Sequence, residues 1–82
     1  MFRGSTIGQL VKMLETEYTA NLSTLKRSEY NEDTIKRFRE YVRNCDRALA
    51  DRKIAPSQAD KVLSCKMLVE KELEWYVKKR GH

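Results

Sequence analysis

Lys36, Arg39, Arg43 and Arg47 recur at steps of three, four and four residues, the spacing that lines side chains along one side of a helix. Three of the four are arginines, whose planar guanidinium forks grip phosphate or carboxylate oxygens in pairs, so the stripe suits recognition of an anionic surface. Arg37, Arg52 and Lys53 extend the positive field at its flanks, while Asp33, Glu40 and Asp46 lie close enough in sequence to offset part of it. Nucleic-acid phosphates and an acidic protein face are both suitable counterparts.

Groups for covalent or acid–base chemistry are missing from the pattern. A nucleophile needs a base within reach, yet the single histidine is the terminal His82 and no Gly-x-Ser-x-Gly turn occurs. Glu15, Glu17, Glu70, Glu72 and Glu74 fall on polar or boundary helix positions, where pairing with lysines three or four residues away is expected. Cys45 and Cys65 sit inside helical patterns without a Cys-x-x-Cys or Cys/His cluster, which predicts two reduced, packed thiols and no metal site. No glycine-rich loop is available to cradle a phosphate chain. The chain is therefore expected to be no enzyme and to need no cofactor.

A second binding surface is suggested further along. Leu68 and Trp75 lie seven residues apart, well off the apolar face that Val62, Val69, Leu73 and Tyr76 define, with Met67 as a third outlier. Such residues either widen the buried arc of a helix with two neighbours or form an apolar strip rimmed by Lys71, Lys78 and Lys79. The latter is the usual anatomy of a protein-binding surface, and tryptophan is prominent among residues that dominate such interfaces. The same strip would also serve homodimerisation. Tyr30, Tyr41 and Trp75 are candidates for an aromatic surface cluster, and Asn21 falls on the apolar side of its helix, as a buried or boundary amide.

Three helices are expected to carry these residues. Ile7, Leu10, Val11, Leu14, Tyr18, Leu22 and Leu25 keep helical spacing, and Thr6 with Gln9 forms a capping box, so the first helix should cover about 6–26. Asn31 caps a second over about 32–52, with Glu32 and Asp33 at its positive end and Ile35, Phe38, Val42, Cys45 and Leu49 facing inward, Tyr41 and Ala48 at the edge. Pro56 opens a third over about 56–79, with Ser57 and Asp60 as a weaker cap. Its apolar face takes in Ala59, Val62, Leu63, Cys65, Val69, Leu73, Tyr76 and Val77. Short connections between helices of this length favour an all-α, antiparallel three-helix bundle. Residues 6–80 are expected to form one domain behind a flexible segment 1–5.

Composition sets the outer limits. Eighty-two residues with 40% apolar and 35% charged side chains describe a small patterned domain rather than a disordered chain. No apolar run approaches the roughly 18 residues of a membrane span, and residues 1–6 lack a signal-peptide core, so a cytoplasmic protein without membrane insertion is expected. A net charge of +5 favours anionic partners. Small basic helical proteins of this kind are frequent among phage and mobile-element accessory factors and bacterial regulators. The expected function is thus a regulatory or adaptor protein docking on a protein partner through Leu68, Trp75, Lys71 and Lys79, with the arginine stripe steering it to an acidic surface. The alternative is nucleic-acid binding through phosphate contacts by Lys36, Arg39, Arg43 and Arg47, without strong sequence readout.

Overall fold

The computed structural model describes residues 6–80, and the expected flexible segment 1–5 lies outside them. Three helices are present, α1 over Ile7–Glu17, α2 over Glu32–Leu49 and α3 over Pro56–Arg80. Their ends form as the sequence signals. Thr6 Oγ1 accepts from the Gln9 amide at 3.2 Å, and the Gln9 side chain accepts from the Thr6 amide at 3.3 Å. Asn31 Oδ1 accepts from the Thr34 amide at 3.0 Å. At α3 the cap differs from expectation. Gln58, rather than the Ser57 and Asp60 pair, reaches back to the Ala55 amide at 2.9 Å.

Polar contacts fix the topology. Glu32 pairs with Arg80 and Asp46 with Lys66, so α2 and α3 run antiparallel. Arg37 meets Glu17, and the Tyr41 hydroxyl meets the Leu14 carbonyl, so α1 and α2 are antiparallel as well. Lys61 on Glu15 and Arg27 on Glu72 then set α1 parallel to α3, completing an up-down-up bundle. The bundle measures 43 × 25 × 17 Å, its long dimension close to the about 38 Å rise of a 25-residue helix.

The core is a single cluster running from Val11, Leu14 and Leu22 through Phe38, Tyr41, Cys45 and Ala48 to Val62 and Val69. On α2 the centre of the buried face is shifted toward Tyr41 and Ala48, which are fully buried rather than marginal, while Val42 and Leu49 are only half-buried. Phe38 is 1% exposed, and burial of such a side chain stabilises the fold by about 1.5–3 kcal/mol. Two expected core residues of α3, Leu63 and Val77, are exposed instead. They lie at the margin of the broad apolar arc, and packing against only two neighbours leaves that margin in solvent.

The first helix also departs from its expected uninterrupted course. After Glu17 the chain widens into one π-helical turn, Tyr18–Leu22, and then leaves the helix. Hydroxyl side chains supply one cause. Thr19 donates to the Glu15 carbonyl at 2.9 Å, Ser23 to Thr19 at 3.0 Å and Thr24 to Asn21 at 2.8 Å, in competition with the backbone ladder. Asn21 is exposed and donates to Glu17 at 2.9 Å, which removes it from the core. A single 3₁₀ turn, Arg27–Glu29, and an extended Tyr30 then carry the chain into α2. That helix stops at Leu49, short of the expected Arg52, because Asp51 accepts from the Lys53 amide at 2.8 Å and starts a turn.

Replacing Tyr41 by Phe should remove the bond between its hydroxyl and the Leu14 carbonyl while keeping the ring. The expected loss is about 1–2 kcal/mol of unfolding free energy, read as a lower denaturant midpoint with an unchanged slope.

Candidate functional site

Helix α2 presents Lys36, Arg39, Arg43 and Arg47 on its outward side, all exposed. The four span about 16 Å of helix at 1.5 Å per residue. Five ion pairs link the described residues, Arg27 with Glu72, Arg37 with Glu17, Lys61 with Glu15, Lys66 with Asp46 and Arg80 with Glu32. None involves the stripe. Asp46, one of the acids expected to offset it, is turned to Lys66 at 2.6 Å, and Asp33 and Glu40 take part in no ion pair. Asp33 and Glu40 instead border the same groove as Lys36, so they offset part of its charge, while Arg39, Arg43 and Arg47 form no ion pair among the described residues. At its upper end Arg39 shares a shallow cleft of about 240 Å³ with Val77 and Arg80. Val77, an exposed apolar side chain of α3, borders that cleft, and Leu63 and Met67 are exposed further along the same helix.

The residues singled out on α3 are placed differently from one another. Leu68 is 47% exposed, and Lys71 and Lys79 are exposed as well. Trp75 is half-buried, because the 3₁₀ turn folds onto it. Tyr30 stands edge-on to its ring at 6.0 Å, the Arg27 guanidinium lies 4.7 Å from the ring centroid and the Lys79 ammonium 5.2 Å from it. Tyr30 also packs edge-on against Phe38 at 5.2 Å and, tilted, against Tyr76 at 6.4 Å. Tyr30 and Trp75 thus do cluster, but Tyr41 is buried between α1 and α2 and takes no part.

Glu72 anchors this end of the molecule. Its carboxylate accepts from Arg27 Nε at 2.8 Å and Nη2 at 3.1 Å, and from the Tyr30 hydroxyl at 3.1 Å. The Arg27 hydrogen bonds hold the Glu72 carboxyl below its usual range of 4.5, and the Tyr30 bond adds to the effect. Burial, with the neighbouring carboxylate, pushes the Tyr30 phenol up to about 12. Arg80 donates to the Tyr76 hydroxyl at 3.0 Å while pairing with Glu32. The sequence gives little warning of this cluster, since Arg27 and Tyr30 lie in a connection with no periodicity. Glu72 reads from the sequence as a solvated face residue.

Two other features bear on chemistry. An open groove of about 580 Å³ runs between α1 and α2, floored by Leu10, Met13 and Tyr41 and crossed by the Arg37 to Glu17 pair at 3.6 Å. Cys45 is 0% exposed and burial pushes its thiol up to about 11, which disfavours the thiolate a nucleophile requires. Among the described residues, no group of three or more His, Cys, Asp or Glu is arranged to hold a metal ion. No described helix is long and apolar enough to cross a membrane. Neither protein-family models, nor curated proteins, nor solved structures provide a match to the chain.

The Glu72 cluster makes stability depend on pH in a stated direction. With its carboxyl depressed in the folded state, Glu72 contributes fully above about pH 4.5 and loses that contribution as the pH falls through its lower folded value. Glu72→Gln should therefore melt lower than the parent chain near about pH 6, with the gap closing toward about pH 3. Thermal unfolding of both chains across this range is the measurement.

Proposed function

We propose that this chain is a small non-catalytic regulatory or adaptor protein that docks on an acidic protein surface through the outward side of α2. The observation that carries the reading is the exposed row of Lys36, Arg39, Arg43 and Arg47, none of which forms an ion pair among the described residues. Solvated cations without internal partners are the groups that steer association and select a complementary face. The exposed Val77 in the cleft beside Arg39 favours a protein over nucleic acid, because an exposed apolar side chain next to charge supplies contact area a protein interface uses. Trp75 is less suited to be the anchor than its residue type suggests, since Tyr30, Arg27 and Lys79 already occupy its surroundings.

The test is a double variant, Arg39→Glu with Arg43→Glu. Both side chains are exposed and form no ion pair among the described residues, so the thermal midpoint should move little, whereas capture of the partner from lysate should fall by about tenfold or more and weaken with salt. Capture is compared with and without nuclease. Binding that survives nuclease and disappears in the variant supports the proposal. Loss of all captured material on nuclease treatment, with a salt-dependent gel shift on random duplex, replaces it with phosphate binding by the same stripe.

A further inference from the structure

We propose that the cleft where the 3₁₀ turn meets the last turns of α3 binds a small aromatic phosphate monoester of the size of a nucleoside monophosphate. The cleft has a volume of about 380 Å³, at the lower end of the range for small-molecule sites. Its walls combine the rings of Tyr30, Trp75 and Tyr76 with the cations of Arg27, Lys79 and Arg80, and Ser28 adds a hydroxyl.

The cations are not equivalent. Arg80 is held by Glu32, and Arg27 is fixed by two bonds to Glu72. Arg27 thereby keeps its position while Nη1 makes no hydrogen bond among the described residues. Lys79 is the one charge of the three not held by a carboxylate among the described residues, and it rests over the Trp75 ring at 5.2 Å.

A planar base that displaces the Lys79 ammonium stacks on the part of the indole it covered while Arg27 keeps its place over the ring, and the displaced ammonium meets the phosphate attached to that base. Arg27 Nη1 and the Ser28 hydroxyl are the further donors. A bare anion would leave the aromatic walls unused. An uncharged ring would leave Lys79 without a counter-charge. No glycine-rich loop extends the site toward a second or third phosphate, so one phosphate is the matching number.

Trp75 is the only tryptophan in the chain, so its fluorescence reports this cleft directly. Titration with AMP should change the emission saturably, with adenosine and inorganic phosphate each binding about tenfold or more weaker, and Lys79→Gln should weaken AMP by about tenfold without moving the thermal midpoint. The Arg39→Glu, Arg43→Glu variant should bind AMP as the parent does, which separates this site from the α2 surface. No saturable response to AMP by fluorescence and by calorimetry overturns the proposal. Equal binding of adenosine and AMP, or of phosphate and AMP, also overturns it, as does an unaltered affinity in Lys79→Gln.

Discussion

The hydroxyl of Tyr41 is buried in the apolar centre of the bundle, where an unpaired donor costs about 1–3 kcal/mol. It finds its acceptor in the Leu14 carbonyl at 2.6 Å, a group that also takes the Tyr18 amide of its own helix. One carbonyl thus serves two donors from two helices, and the Tyr18 amide is shared with the Glu15 carbonyl. The backbone widens immediately afterwards, over Tyr18–Leu22. A wider turn rotates each following residue by less, so Leu22 remains over the core and is buried. From there the chain can leave the helix, make its 3₁₀ turn and lay Tyr30 between Phe38 and Trp75. This bond pins the C-terminal part of α1 to the middle of α2, just before the backbone widens.

The architecture was largely legible from spacing. The inward faces of α2 and α3 follow from Phe38, Cys45, Val62 and Val69, and the helix starts follow from Thr6 and Asn31, because periodicity and caps are local properties. The end of α1 was not legible from periodicity, since Leu22 and Leu25 continue the apolar spacing past it and only the hydroxyl bonds of Thr19, Ser23 and Thr24 mark the change. Leu63 and Val77 misled for a related reason. A helical pattern gives the direction of a side chain but not the width of the neighbours that must cover it. The outward placement of the α2 stripe was likewise local, whereas the turning of Asp46 away from it required Asp46 and Lys66 to be brought together from two helices.

Charge is divided unevenly over the surface as a result. Acidic residues on α1 and α3, Glu15, Glu17 and Glu72, hold cations from other elements and act as struts between helices. Most of these pairs are partly exposed, so each contributes little to stability individually, but together they select the up-down-up arrangement over its alternatives. With these acids turned toward other elements, Arg39, Arg43 and Arg47 on α2 and Lys78 and Lys79 at the end of α3 form no ion pair among the described residues. An asymmetric field of this kind orients the molecule before contact is made.

The two thiols occupy contrasting positions in this scaffold. Cys45 is sealed at the meeting point of the helices, while Cys65 is only half-buried on α3. A reagent that modifies free thiols can reach Cys45 only when α2 separates from its neighbours, so its labelling rate follows the whole-molecule opening equilibrium. Cys65 becomes accessible through smaller excursions of α3. The chain therefore carries two native clocks, and the ratio of their rates measures how far unfolding of this bundle is a single concerted event.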